Sequence, residues 1–269
     1  MELTVLVDNN TLIDNYLQGE PALSFLIKDD NAKVLFDTAY SDLFLKNAKL
    51  LGEDLSNIDY LVLSHGHDDH TRGLKYLKNQ NFDSKINFIA HPDVFYSKEE
   101  GNLNIGIEYT QVELEHIFDF KLSKKPIQLT ENLIFLGEIP RITDFEAKKP
   151  VGYKITNGEK QPDFLFDDSA LIYKTNNELV IITGCSHSGI INIIQYAKKI
   201  TECENIKAIV GGFHLANNEK ELINKTLNYL EKEKIGTIYP CHCTGLVAKC
   251  ALMNKFNVEE VGVGLKLEF

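Results

Sequence analysis

At four places in this chain a short apolar run stops at a polar or glycine-bearing loop that carries a histidine, and a helical pattern resumes beyond it. Residues 60–63 lead into Ser64-His65-Gly66-His67, residues 179–183 into Gly184-Cys185-Ser186-His187, residues 208–210 into Gly211-Gly212-Phe213-His214, and residues 237–239 into Cys241-His242-Cys243. Strands alternating with helices argue for an α/β layer structure, in which strand ends collect at one sheet edge. The histidines are therefore expected on a common rim.

The remaining elements fit the same class. Residues 24–37 read as a hairpin turning at Asp29, Asp30 and Asn31; strands are expected at 86–90, 133–136, 170–174 and 258–267, and helices at 42–51, 190–200, 219–233 and 246–256. Residues 101–126 are mixed in character and are read as an insertion or lid, and 148–163, rich in Gly, Pro and Lys, as a loop. No 20- to 50-residue period recurs, so the 269 residues are read as a single domain.

Charge and cysteine usage narrow the function. Twenty-eight basic against 39 acidic residues leave a net charge of −11, which opposes binding to nucleic acid or an anionic membrane surface. Apolar runs are broken well short of the roughly 20 residues that cross a bilayer. The five cysteines are odd in number and confined to the last third. With an N-terminus that lacks the layout of a signal peptide, they point to a reduced, cytoplasmic protein.

The segment His65-Gly66-His67-Asp68-Asp69-His70 carries the chemistry. Three imidazoles and two carboxylates in six residues serve neither a core nor an ordinary solvated loop. In extended backbone, residues two apart point the same way, so His65 and His67 can share one ion while Asp69 and His70, past the turn, reach a second. Further ligands must then come from other strand ends, where His187, His214 and His242 stand. Thiolate ligation by Cys185, Cys241 or Cys243 is also open, whereas Cys203 and Cys250 are read as inert. His91, followed by Pro92, is read as a turn residue, and His116, among acidic neighbours, as solvated.

These residues resemble the metallo-β-lactamase superfamily, whose HxHxDH signature stands here at 65–70 after an apolar strand, and Val34-Leu35-Phe36-Asp37-Thr38 is similar to its opening. The motifs Gly137-Glu138-Ile139-Pro140-Arg141, Asp167-Asp168-Ser169-Ala170-Leu171, Gly184 to Gly189, Gly211 to Leu215 and His242-Cys243-Thr244-Gly245 resemble the 7,8-dihydropterin-6-methyl-4-(β-D-ribofuranosyl)-aminobenzene-5′-phosphate synthase subgroup. The resemblance implies a four-layer αβ/βα sandwich with two divalent metal ions at one edge, zinc foremost and iron or manganese as alternatives. It also implies a phosphorylated, pterin-related small-molecule substrate. Where many members carry a bridging aspartate, this sequence has Cys185.

On this reading His65, His67 and His187 hold one metal, and Asp69, His70 and His242 the other. Asp37 orients a ligand from behind, and Asp69 belongs to the catalytic group. Arg141, one of two arginines in the chain, is expected to clamp a substrate phosphate or carboxylate. His214 is either a proton donor to the leaving group or a ligand in place of His187 or His242. The rival readings are a thioesterase or lactonase, and a non-catalytic or redox di-iron protein.

Overall fold

The computed structural model describes residues 1–30, 32–78, 80, 82, 84–175, 177–216 and 219–269. The first part of the chain forms β1 (Glu2–Val7), β2 (Ser24–Asp29), β3 (Ala32–Phe36), α1 (Leu43–Leu50), β4 (Tyr60–Val62), α2 (Asp68–Thr71), α3 (Leu74–Leu77) and β5 (Ile86–Ala90). Next come β6 (Ser97–Glu100), β7 (Leu103–Asn104), α4 (Gln111–Leu114), β8 (Phe118–Leu122), β9 (Ile127–Gln128), β10 (Leu133–Phe135), β11 (Tyr153–Thr156) and β12 (Glu159–Pro162). The last part forms β13 (Ala170–Lys174), β14 (Leu179–Thr183), α5 (Ile190–Thr201), β15 (Ile206–Gly211), α6 (Lys220–Leu230), β16 (Ile235–Pro240), α7 (Leu246–Met253) and β17 (Lys266–Glu268).

Among the described residues the strands make a seven-stranded sheet in the order β17-β1-β2-β3-β4-β5-β8 and a six-stranded sheet β16-β15-β14-β13-β10-β9. A four-stranded sheet, β12-β11-β6-β7, accompanies them. Period-two alternation sorts each strand's side chains into layers. Phe25, Ile27, Val34 and Phe36 of the first sheet meet Phe135, Leu171, Val180, Ile182 and Val210 of the second in a shared core. Leu26, Leu35 and Phe88 turn the other way, onto Phe44, Leu74 and Leu77 of the helices. Ile172, Ile181, Ile209 and Ile238 likewise pack on Ile193, Ile194, Leu227 and Leu252. The three cores separate four layers, helix on sheet on sheet on helix, which is the expected αβ/βα sandwich.

Two expectations are corrected, at 148–163 and at 258–267. The 148–163 segment is not merely a loop: it pairs as the β11–β12 hairpin, turning at Asn157 and Gly158, whose φ angles of 53° and 80° are those of the tight turn that Asn-Gly favours. The strand expected at 258–267 is reduced to Lys266–Glu268. Gly264 at φ 90° turns the backbone there, and the amides of Val263 and Gly264 bond Asn10 and Val5 carbonyls instead. Within 101–126, β8 pairs parallel with β5 at the edge of the seven-stranded sheet, and β7 joins the small sheet. The hairpin expected at 24–37 is β2–β3; Asn31 of its turn lies outside the described residues.

Two buried polar contacts fasten these parts near the strand ends. Lys98 of β6, 1% exposed, bonds Asp163 at 2.7 Å and Asp167 at 2.9 Å. Asp167 accepts the Gly66 amide at 2.8 Å, so the small sheet is tied to the histidine loop. On the other side, the Glu146 carboxylate accepts the amides of Ile191 and Asn192 at 3.0 and 3.1 Å and satisfies the first turn of α5, where an acid is favoured.

Each contact makes a prediction. Lys98→Met strands two carboxylates in the interior and should cost about 3–5 kcal/mol in urea denaturation; a loss under about 1 kcal/mol contradicts the anchoring role. Burial pushes the Glu146 carboxyl from the ordinary 4.5 up to about 7. A pKa raised on folding gives stability that is fullest below the unfolded value and is lost as pH rises through the folded one. Glu146→Gln removes the titration, although its one oxygen can accept only one of the two amides; whatever its offset from wild type, it should therefore gain about 3 kcal/mol on wild type between about pH 4 and about pH 8. Parallel pH dependence of the two proteins would refute this.

Candidate metal centre

The loop that leaves β4 is built around Asp37, at the end of β3. Its backbone is left-handed, φ 60°, and its fully buried carboxylate accepts the Ser64 amide at 2.8 Å and the Ser64 hydroxyl at 2.7 Å. His70 Nδ1 lies 2.7 Å from the same carboxylate. With Nδ1 engaged there, His70 Nε2 turns inward, 3.2 Å from His242 Nε2 and 3.3 Å from Cys185 Sγ. Asp69 Oδ2 stands 3.2 Å from His242 Nε2 and 3.6 Å from His70 Nε2.

His242, just past β16, is fixed from behind in the same way. Its amide donates to Asp8 at 2.8 Å, and its Nδ1 lies 3.1 Å from the Asn9 side-chain oxygen. Asp69, His70, Cys185 and His242 thus bring one ligand atom each to within 4.8 Å of one another. His65, Cys185 and His187 form a second such group, and His65, His67 and Asp69 a third. The rings of His65, His67 and His187 lie 4.7 to 4.9 Å apart, centroid to centroid.

The structure therefore gathers all six expected ligands at one edge, as strand-end placement predicted. The donor set fits divalent metal in another respect. Among the described residues, His65 Nε2, His67 Nε2 and both ring nitrogens of His187 are buried without a hydrogen-bond partner, an arrangement that costs about 1–3 kcal/mol for each group unless something else satisfies it. Burial, reinforced by neighbouring imidazoles, holds the His65 and His187 pKa well below the ordinary value, and burial lowers His67 to about 4. These rings are neutral near pH 7, as ligands must be. Burial works against the charge on Asp69, but His70, His242 and His67 hold its carboxyl well below the usual range.

Beside this cluster opens a cavity of about 800 Å³. Ser186, His187 and His214 line it, together with Phe145, Phe164, Phe213 and Leu222, and with Lys148, Lys149, Lys220 and Lys225. The His214 ring stands 4.1 Å from that of His187, centroid to centroid, and its ligand atom groups with Cys185 and Cys243 rather than with the six. Arg141 departs from expectation. It is not among the residues lining the cavity; its guanidinium donates to the carbonyls of Phe164 and Leu165, the latter at 3.0 Å, and lies 4.4 Å from the Phe166 ring centroid. It braces the loop that supplies part of the wall.

Other expectations hold. His91 caps a short turn, accepting the Asp93 amide at 3.0 Å, and His116 is exposed. Of the three thiols open to ligation, Cys241 is instead fully buried in the shared core as a small hydrophobe and joins no ligand group among the described residues. Residues not singled out include Asp8, Asn9, Ser64, Lys98 and Glu146. Asp8-Asn9-Asn10, a polar run directly after an apolar strand, carried the same signal as the histidine loops.

The sequence profile of the metallo-β-lactamase superfamily matches residues 17–198. An uncharacterised protein of Methanocaldococcus jannaschii is 36% identical over 97% of this chain and 98% of its own length. The 7,8-dihydropterin-6-methyl-4-(β-D-ribofuranosyl)-aminobenzene-5′-phosphate synthase of the same organism is 34% identical over 93% and 90%. The crystal structure of Tm1679, described as a metal-dependent hydrolase of the β-lactamase superfamily, superposes with a TM-score of 0.85 at 33% identity, covering 100% of this chain and 99% of that one. By profile, by relatives spanning nearly its whole length and by fold, this chain belongs to the metallo-β-lactamase superfamily.

Proposed function

We propose that the chain is a metal-dependent enzyme that holds two divalent ions, zinc foremost, and acts on a phosphorylated small molecule by hydrolysis or by diphosphate-displacing transfer. The observation that carries this reading is the set of buried, unpartnered imidazole nitrogens on His65, His67 and His187, beside the Asp69, His70 and His242 group. In this assignment His65, His67 and His187 hold one ion and Asp69, His70 and His242 the other. Cys185 Sγ, common to both groups, takes the place of a bridging carboxylate. Bound there, two such ions would stabilise developing anionic charge and lower the pKa of a water.

The chain's own residues supply the rest. Asp37 and Asn9 fix the tautomers of His70 and His242 and so point Nε2 of each at the centre. The cavity offers aromatic walls at Phe145, Phe164 and Phe213 for a flat ring. Of its four lysines, Lys149 and Lys225 face Glu219 and Glu221 as ion pairs; Lys148 and Lys220 have no such partner among the described residues and are left to meet a phosphate. His214, lining the same cavity beside His187, donates a proton to the leaving group. The synthase relative, named for a pterin and an aminobenzene ribose phosphate, favours a pterin-related substrate.

Metal analysis of zinc-loaded protein should give close to two ions per chain, and His67→Ala should lose both metal and turnover. Full metal content with unchanged turnover in that variant removes the dinuclear assignment. Screening phosphomonoesters, phosphodiesters, lactones and thioesters tests the substrate class: turnover confined to lactones or thioesters overturns it, and a coloured iron centre without hydrolysis favours the redox reading. His214→Ala should keep its metals while turnover falls by about 10²–10⁴, less for substrates with a good leaving group. Loss of one metal in that variant would make His214 a ligand.

A further inference from the structure

Cys185 and Cys243 leave the ends of β14 and β16, the two strands that flank β15. Those strands hold the two thiols against each other. Cys243 Sγ donates to the Cys185 carbonyl at 3.5 Å, and the two sulfurs, with a ring nitrogen of His214, all lie within 4.8 Å of one another. The gap is kept open by Gly212, where a Cβ would stand 2.5 Å from Cys243 Sγ and 3.4 Å from Cys185 Cα. Cys185 is 3% exposed, whereas Cys243 is half-buried, so a small oxidant reaches the second before the first.

Cys185 also has a competing attachment. Its sulfur is 3.3 Å from His70 Nε2 and belongs to the groups formed with Asp69, His70 and His242 and with His65 and His187. It can serve that cluster or join Cys243, since one sulfur cannot do both in the same geometry.

We propose that Cys185 and Cys243 are an oxidative modification site: a peroxide converts them to a disulfide, which withdraws the Cys185 sulfur from the metal cluster. The withdrawal rests on the dinuclear reading above; the disulfide does not. The Cys243 thiolate attacks one peroxide oxygen, the O–O bond breaks, and the departing oxygen leaves as water after taking a proton. Cys243 then carries a sulfenic acid. The Cys185 sulfur attacks the Cys243 sulfur, the S–O bond breaks and a second water leaves. Two thiols are oxidised to one disulfide while hydrogen peroxide is reduced to two waters. Side-chain rotation alone must bring the sulfurs to the ~2.05 Å of the bond.

The test treats metal-free and zinc-loaded protein with hydrogen peroxide in slight excess, blocks the remaining thiols, digests and maps the peptides. The expected product is a Cys185–Cys243 linked peptide, reversed by dithiothreitol, absent from Cys243→Ser and retained in Cys250→Ser. Zinc should slow its formation about tenfold, since an ion that engages the Cys185 thiolate protects it, and the oxidised protein should hold less zinc than the reduced one. Oxidation confined to the exposed Cys250, or pairing of Cys243 with any other cysteine, overturns the site. Equal rates with and without zinc, or unchanged zinc content after oxidation, overturn its coupling to the cluster. A protein that binds no zinc at all overturns the metal reading and the coupling with it, while the linked peptide in that sample would still establish the disulfide.

Discussion

The Asp37 carboxylate is the joint on which the centre depends. Fully buried at the end of β3, it receives the Ser64 amide, the Ser64 hydroxyl and His70 Nδ1, all within 2.8 Å. The first two bonds set the course of the loop that carries His65 and His67, and the third decides which nitrogen of His70 faces inward. Bonds of this kind to an ionised group are stronger than neutral ones, and leaving such a carboxylate unsatisfied is costly. The sheet therefore registers the ligand loop through one side chain. Asp167 does the same from the far side through Gly66, itself held by Lys98.

This design explains why the candidate ligands were legible in the sequence and their supports were not. A ligand needs a particular atom type, and imidazoles at strand ends are rare enough to stand out: His65, His67, His70, His187 and His242 announce themselves. A support needs only a hydrogen bond at the right distance, which Asp8, Asn9, Ser64 and Asp167 provide with residue types common in any loop. Three-dimensional neighbours also lie far apart in the chain; Asp8 reaches His242 across 234 positions. Local signals had similar limits. Short apolar runs located β13, β14 and their neighbours, but Asn157-Gly158 was a hairpin signal inside a segment whose polarity spoke for a loop. Gly262 and Gly264 broke an apolar run that alternation alone extends to residue 267. Arg141 drew attention as a rare cation, and rarity says nothing about whether loop carbonyls engage it.

Charge presents a conflict that the cavity resolves locally. A net charge of −11 repels an anionic ligand at long range, though a Debye length of about 8 Å at physiological salt confines that repulsion to the surface. Against Asp144, Glu146, Glu219 and Glu221 the cavity lining sets four lysines, which balance the charge where a ligand would pass. Two of them spend part of their charge on Glu219 and Glu221, which also holds the α6 end of the wall in place. An anionic surface around a cavity whose charge is balanced favours a small ligand over a polyanion.

The central claim is that the six clustered side chains hold two ions around the Cys185 sulfur. Anomalous diffraction at the zinc edge from zinc-soaked crystals tests it directly. The account predicts two peaks, one about 2.0–2.2 Å from the donor atoms of Asp69, His70 and His242 and the other about 2.0–2.1 Å from nitrogens of His65, His67 and His187. Both should lie near Cys185 Sγ. A single peak, or peaks that leave the His65, His67 and His187 nitrogens without a metal, would contradict it.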